Sequence, residues 1–262
     1  MKVANKLLVF SILSFSLLIN TTMSHAAYDK TKAEPGEKYA GSKLPLTAIP
    51  VPREAEWVKH HEQLAETVKK GNIDIVFYGD SITDWMNADL LHKIISPKAT
   101  NIGIAGDCTE HLLWRLQNGE ADFGGTPPRY AVVLIGTNNL PEFPGFHHST
   151  NEEVQLGVKA CLDEIIKKVP KIKILLLAIL ARDEKPDTEL RKRVTQTNVL
   201  LKKLADNKQI FFADINPQLL EADGKISTDI MYDFLHPSKD HGYDRMLNAI
   251  KPHLDKVMGT SK

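Results

Sequence analysis

The stretch IDIVFYGDSITDWM, residues 73–86, decides how the rest of the chain is interpreted. It opens with a largely apolar run that ends at Tyr78, which is typical of a strand buried on both faces of a parallel sheet. Gly79, Asp80 and Ser81 follow, and a predicted helix comes after them. Such a junction places the serine hydroxyl at the edge of a sheet. There it serves either as a helix N-cap or, if another residue supplies a base, as a nucleophile.

The same alternation of strand and helix continues along the chain. Apolar runs predict five strands at residues 73–78, 100–104, 130–135, 172–180 and 210–215. Helical patterns cover residues 54–70, 84–95, 109–117, 151–169, 188–207 and 238–258, with Asn151 as one N-cap. Strands that alternate with helices predict one three-layer α/β/α domain around a parallel sheet of about five strands. Ligands of such domains bind at the carboxyl ends of the strands.

The N-terminus has the pattern of a secretory signal peptide. Lys2 and Lys6 precede an apolar run at residues 7–19, and Ser24-His25-Ala26 has the small residues of a cleavage site. We therefore expect a signal peptide of residues 1–26, cleaved after Ala26 or alternatively after Ala27, and a secreted or periplasmic protein. An uncleaved membrane anchor is the alternative. Residues 27–54 contain four prolines and predict an extended N-terminal segment, and residues 55–262 form the predicted domain.

Composition excludes several classes of partner. Of 262 residues, 42% are hydrophobic and 25% are charged, which is ordinary for a globular domain. Without residues 1–26 the chain carries 31 basic and 33 acidic residues, so nothing indicates binding to nucleic acid or to an anionic surface. After removal of the signal peptide, no other segment predicts a membrane span. Cys108 and Cys161 are interpreted as independent thiols, with a disulfide as the alternative, and the oligomeric state stays open.

Three further strand ends carry residues that fit acyl transfer. Asp233 and His236 are spaced so that the carboxylate can accept Nδ1–H of the imidazole while Nε2 faces Ser81; a solvent-exposed pair is the alternative. Gly106 follows the second strand and can offer an unobstructed backbone N–H. Asn138 follows the third strand and can offer a side-chain amide. Each fits an ordinary turn by itself, but together they can stabilise an oxyanion.

In this order, Ser81, Gly106, Asn138 and His236 resemble the four blocks of the SGNH (GDSL-type) esterase/lipase superfamily. The segments NIGIAGDCTEHLLWRLQNGE, VVLIGTNN, ARDEKP and DFLHPSKDHGY are similar to the branch that contains the platelet-activating-factor acetylhydrolase catalytic subunits. The resemblance covers about residues 57–254. It implies a flavodoxin-like fold and ester hydrolysis with no cofactor and no metal. It also implies Ser81 as nucleophile, His236 as base, Asp233 as its orienting partner, and Ser81, Gly106 and Asn138 as oxyanion donors.

The chain departs from that branch at two places near the site. Cys108 stands where the branch usually has threonine, and we expect it to pack beside the site. Residues 140–150 look longer than the corresponding loop, and Phe143 and Phe146 are predicted to shape the substrate pocket, with a solvated loop as the alternative. His147 and His148 lack the third ligand that a metal site needs.

Two more positions are candidates for substrate contact. Arg182 follows the fourth strand and is interpreted either as a substrate contact or as part of a solvated turn. Trp85 and Trp114 are predicted to be core or packing residues, with a sugar-stacking wall as the alternative for Trp85.

Other enzyme classes fit the motifs less well. The α/β-hydrolase elbow G-x-S-x-G lacks its second glycine, and neither a phosphatase DxD nor a dinucleotide-binding G-x-G-x-x-G is present. The resemblance to acetylhydrolases implies a serine esterase for short acyl groups, above all acetyl, and the predicted export favours acetyl groups on carbohydrate. A short-chain lipid or lysophospholipid esterase is the first alternative, and a noncatalytic glycan-binding protein is the second.

Overall fold

The structure is a computed structural model that describes residues 41–141 and 149–260. The predicted signal peptide and residues Phe143, Phe146, His147 and His148 lie outside this range. Five parallel strands form one sheet in the order β2-β1-β3-β4-β5. The strands are β1 (Ile75–Gly79), β2 (Ala99–Gly103), β3 (Tyr130–Leu134), β4 (Lys173–Leu177) and β5 (Ile210–Ala213). This strand order reverses direction between β1 and β3, which is where open α/β sheets bind their ligands.

Helices cover both faces of the sheet, as the continuous apolar strands require. They are α1 (Ala55–Lys70), α2 (Ser81–Asp84), α3 (Ala88–Ile94), α4 (Thr109–Arg115), α5 (Asn151–Lys168), α6 (Glu189–Lys202), α7 (Asn216–Leu219) and α8 (Gly242–Met258). One apolar core lies between the sheet and helices α1, α4, α5 and α6. The other lies between the sheet and helices α2, α3, α7 and α8. The predicted three-layer α/β/α fold is confirmed.

Several element boundaries differ from the prediction, and side-chain caps explain two of the differences. The helix predicted over residues 84–95 is α3, which begins only at Ala88 because Asn87 caps it by accepting the Leu90 N–H. The short helix α2 precedes it and was not predicted; Asp80 accepts the Ile82 N–H at its start. The N-cap of α5 is Thr150 rather than Asn151. Thr150 Oγ1 accepts the Glu153 N–H, and the Glu153 carboxylate accepts the Thr150 N–H, which is a capping box.

Part of the proline-containing N-terminal stretch packs against the domain. Thr47, Ile49 and Val51 are buried, and the Val51 N–H donates to the Glu110 carbonyl. Arg53 follows and reaches the residues after β2, as described below. In the described ranges there is no helix with the length and apolar character that crossing a bilayer requires. Both cysteines are buried free thiols, which agrees with the prediction of independent thiols.

Candidate active site

Ser81 is the first residue of α2, immediately after β1. Asp80 is the N-cap of α2. The aspartate therefore fills the capping role that was also considered for the serine, and the serine hydroxyl does not cap the helix. The helix passes close over the strand ends: a Cβ on Gly79 would lie 2.1 Å from Thr83 Oγ1 and 2.5 Å from the Leu134 carbonyl oxygen. Gly79 is thus needed for α2 to approach the sheet. The N–H of Ser81, in the first turn, has no helical acceptor and can be donated to a ligand.

The serine hydroxyl is the first member of a hydrogen-bonded relay. Ser81 Oγ lies 2.8 Å from His236 Nε2, and His236 Nδ1 lies 2.7 Å from Asp233 Oδ2. Ser81 and His236 are buried, whereas the Asp233 side chain is 38% exposed. Burial opposes ionisation of Asp233, but hydrogen bonds from the His236 side chain and backbone outweigh it and lower the pKa of the carboxyl. This arrangement can move a proton from the serine to an imidazole whose orientation the carboxylate fixes.

The turn that carries His236 is closed by hydrogen bonds among its own residues. Asp233 Oδ1 accepts the N–H groups of Leu235 and His236, and the Tyr232 N–H donates to the His236 carbonyl. Phe234, between the two relay residues, has φ of 62°, a left-handed conformation that is rare for a bulky residue. Backbone strain of this kind persists only where surrounding contacts impose it, and here it brings Asp233 back onto the imidazole of His236.

Gly106 lies in the loop between β2 and α4. Its φ is +80°, which favours glycine, and an added Cβ would also lie 3.2 Å from Arg53 Nη1. The loop is fastened on both sides: the Ala105 N–H donates to Asp84 Oδ2 at 3.0 Å, and Arg53 Nη1 donates to the Ala105 carbonyl at 2.8 Å. The predicted Gly106 is therefore held in a conformation that glycine adopts at the least cost.

Asn138 lies in a short helical turn after β3, and its Nδ2 donates to the Asp107 carbonyl at 2.9 Å. An amide nitrogen has two protons, so one remains for a ligand. The neighbouring Asn139 is fully buried and is engaged on both sides: it accepts the Thr109 N–H and donates to Glu110. Of the two asparagines, only Asn138 is partly exposed, which matches the choice made from the sequence.

A buried ionic network beneath the loop around Gly106 was not recognised in the sequence. Arg115 is fully buried and donates to Asp107 Oδ2 (2.7 Å), the Ile102 carbonyl (2.9 Å) and the Gly79 carbonyl (3.1 Å), and it also pairs with Glu120. It thus joins the ends of β1 and β2 to the residue after Gly106. Further partners complete the network: Trp57 Nε1 donates to Asp107 Oδ1 (2.7 Å), and His61 Nδ1 lies 2.8 Å from Glu120. The only sequence signal was an acidic residue directly after the oxyanion glycine.

Asp80 has a second feature besides capping α2. The residue is buried, and its Oδ2 has no hydrogen-bond partner in the described part of the chain. Burial raises the pKa of its carboxyl to about 7. An acidic group that changes charge near neutral pH therefore lies directly before Ser81.

Two aromatic rings flank His236 on the solvent side. The Trp85 ring centroid is 4.3 Å from that of His236, and the indole is 40% exposed. Tyr232 lies at 6.1 Å, is nearly parallel to the imidazole and is 50% exposed. Trp85 is thus a packing residue against His236 and not a residue of the core, and its alternative role as a sugar-stacking wall stays a prediction. Trp114 packs against Trp57, with ring centroids 5.4 Å apart.

The remaining candidates are placed differently. Arg182 is buried, and its Nη1 donates to the carbonyl and the hydroxyl of Thr137, so it fastens the turn that carries Asn138. Its role as a substrate contact stays a prediction, as do the roles of Phe143 and Phe146. Cys108, Glu110 and His111 bring potential metal ligands within 4.8 Å of one another. These groups already serve the start of α4, where the Cys108 N–H donates to His111 Nδ1.

Comparisons with known proteins agree with this geometry. The model of the GDSL-like Lipase/Acylhydrolase family matches residues 77–245. Human platelet-activating factor acetylhydrolase IB subunit alpha1 is 34% identical over 226 residues, which are 85% of this chain and 93% of that protein. The alpha2 subunit of Rattus norvegicus is 36% identical over 196 residues, 74% of this chain and 81% of that protein.

Solved structures show the same fold at lower identity. A GDSL-like lipase from Bacteroides thetaiotaomicron has a TM-score of 0.60 and 21% identity, covering 77% of this chain and 97% of that one. An acetylxylan esterase from Geobacillus stearothermophilus has a TM-score of 0.53 and 19% identity, covering 73% and 96%.

Proposed function

This chain belongs to the GDSL-like lipase/acylhydrolase family and is an ester hydrolase, and on that premise we propose that it is an exported serine esterase that removes acetyl groups from O-acetylated carbohydrate. The observation that carries the mechanism is the continuous relay from Ser81 Oγ through His236 to Asp233, with distances of 2.8 Å and 2.7 Å. A hydroxyl is a weak nucleophile until a base within hydrogen-bond reach accepts its proton.

In the proposed reaction, Ser81 Oγ attacks the ester carbonyl while His236 Nε2 takes the proton. The carboxylate of Asp233 stabilises the imidazolium. The N–H groups of Ser81 and Gly106 and the free amide proton of Asn138 donate to the oxyanion. The alcohol leaves with the proton from Nε2. Water then attacks the acyl-serine by the same steps and releases the acid.

The choice of acetyl rests on the relatives. The curated relatives are named acetylhydrolases, and the esterase from Geobacillus stearothermophilus is named for acetylxylan. Both names refer to the removal of an acetyl group, but they refer to different alcohols. Export through the predicted signal peptide favours an extracellular or periplasmic glycan as the alcohol. A short-chain lipid or lysophospholipid ester is the alternative, and the curated relatives at 34% identity favour it.

The test is acid release by the purified protein from p-nitrophenyl acetate, butyrate and octanoate, from an acetylated oligosaccharide and from an acetylated phospholipid. Ser81→Ala is the blank, and we expect it to lower turnover by about 10⁴ or more. Acetate from the oligosaccharide, with rates that fall steeply with chain length, supports the proposal. Activity on the phospholipid alone would replace the glycan by a lipid. An active Ser81→Ala variant would remove Ser81 from its role.

Export has a separate test. N-terminal sequencing of the protein recovered from the periplasm or medium should begin at Ala27. A chain that keeps residues 1–26 and sediments with membranes would instead be anchored.

A further inference from the structure

A cleft opens beside the relay, on the side of the imidazole. Its volume is about 560 Å³, and it is lined by Trp85, Asn87, Asp89, Lys93, Lys239 and Tyr243, together with Leu90. Trp85 connects this Trp85 cleft to the site, since its ring lies 4.3 Å from that of His236. The cleft therefore runs along the start of α3, and it shares Trp85 with the surroundings of the catalytic imidazole.

The position of the cleft identifies the part of the substrate that it can receive. In acyl transfer by a serine, the imidazole that accepts the serine proton later gives it to the leaving alcohol. The leaving oxygen must therefore lie at His236 Nε2. Gly106 and Asn138 lie on other strand ends and face the carbonyl oxygen. A group attached to the leaving oxygen is then adjacent to Trp85 and enters the cleft.

The lining fits a saccharide. Trp85 provides a flat ring, 40% exposed, against which the C–H face of a sugar can pack. Exposed side chains of Asn87, Asp89 and Lys93 supply donors and acceptors for hydroxyl groups around it.

An unsatisfied hydroxyl at the cleft is a second, independent observation. Tyr243 is 2% exposed and lines the cleft, and its Oη is buried with no hydrogen-bond partner among the described residues. Buried polar groups are nearly always paired, because an unpaired one loses its hydration without compensation. Because the oxygen itself is shielded from solvent, a ligand hydroxyl would satisfy it only after the side chains that cover it move.

We propose that the Trp85 cleft binds the saccharide that carries the scissile ester, on the alcohol side of the reaction. The proposal rests on the function proposed above and adds a specificity site to it. Trp85 and Lys93 are its test residues, because Trp85 forms the wall next to His236 and Lys93 lies farther out on α3. Lys171 is the matched control, since it is exposed and precedes β4 at the opposite edge of the sheet.

The first experiment compares kcat/KM on an acetylated oligosaccharide with kcat/KM on p-nitrophenyl acetate, whose alcohol has no sugar. Trp85→Ala should lower the ratio of kcat/KM on the oligosaccharide to kcat/KM on p-nitrophenyl acetate at least tenfold, and Lys93→Ala should lower it about threefold. Both changes should come mainly from a higher KM for the oligosaccharide. Lys171→Ala should leave the ratio unchanged. A ratio that stays the same in both cleft variants would overturn the proposal, while the esterase assignment would stand on the wild-type rates.

The second experiment does not depend on turnover. Calorimetric titration of Ser81→Ala with the deacetylated oligosaccharide should show binding that the double variant Ser81→Ala/Trp85→Ala loses. Absence of binding in Ser81→Ala overturns the cleft proposal whatever the activity. If the cleft variants change the kinetics on an acetylated phospholipid and not on the oligosaccharide, the cleft binds a phosphate-bearing headgroup and the saccharide proposal fails.

Discussion

The loop around Gly106 and the turn around His236 lie at the same edge of the sheet, but different contacts stabilise them. The loop rests on Asp107 and Arg115, whose side chains are both fully buried. The turn rests on Asp233, whose side chain is 38% exposed and which receives two N–H groups from its own turn. One half of the site is thus built from distant residues in the interior, and the other from consecutive residues near the surface.

Because of this difference, substitutions in the turn should mainly affect catalysis, and substitutions in the buried network should mainly affect stability. Charges in the interior are costly unless they are paired, so a change in the buried network should reach the whole fold. A half-exposed carboxylate on a local turn contributes little to folding but fixes the orientation of the imidazole. Four substitutions test this separation, and they follow in order of expected effect.

Asp233→Asn should lower kcat by about 10⁴, because the amide no longer stabilises the imidazolium. The melting temperature should change by only a few degrees, since the residue is half-exposed. Steady-state kinetics and thermal unfolding measure the two effects. The matched control is Asp229→Asn: Asp229 Oδ1 lies 2.7 Å from His241 Nδ1 in the same region, but both are exposed. Equal losses in the two variants would contradict the relay.

Arg115→Leu should lower the free energy of unfolding by about 3–5 kcal/mol, because it removes the buried guanidinium that Asp107 and Glu120 share and leaves them, among the described residues, only Arg53 and His61 as basic partners. Urea denaturation measures it. Arg129 is exposed and lies over the ring of Tyr130, so Arg129→Leu should cost under about 1 kcal/mol. A stable Arg115→Leu variant would show that the network does not stabilise the oxyanion half.

Asn138→Ala should lower kcat by about 10²–10³ with a small change in KM, if its second amide proton reaches the oxyanion. Asn139→Ala should instead lower the stability of the fold, because it leaves the Thr109 N–H and Glu110 without their partner. Kinetics and urea denaturation of both variants separate the roles. A kcat for Asn138→Ala within threefold of wild type would remove Asn138 from the oxyanion hole.

Asp80→Asn should raise stability at neutral pH by on the order of 2 kcal/mol. The pKa of Asp80 is about 7 in the folded chain and lower in the unfolded chain. At a pH between these two pKa values, the unfolded chain has lost the Asp80 proton that the folded chain keeps. The wild-type free energy of unfolding therefore falls as pH rises toward 7 and levels off above it. Denaturation at pH 4, 6 and 8 should show a gap between variant and wild type that widens with pH. Parallel curves would contradict this.

The comparison also explains which parts of the site were predictable. Asp233 and His236 are three residues apart, and Ser81, Gly106 and Asn138 each follow a predicted strand, so short-range pattern and parallel topology were sufficient to propose them. The partners of Asp107 could not be found in this way. Trp57 and Arg53, whose Nη1 lies 3.3 Å from Asp107 Oδ1, come from a part of the chain about 50 positions earlier. Arg115 reaches back 36 positions to Gly79.

By itself, the sequence determined the layered α/β class, the strands and the residues of the relay, because hydrophobic periodicity and local spacing encode them. Tertiary structure decided the strand order, the exposure of Trp85 and the burial of Asn139. It also decided that a buried arginine joins the ends of β1 and β2. These features depend on which distant surfaces pack together, and packing brings together groups whose separation along the chain carries no periodic signal.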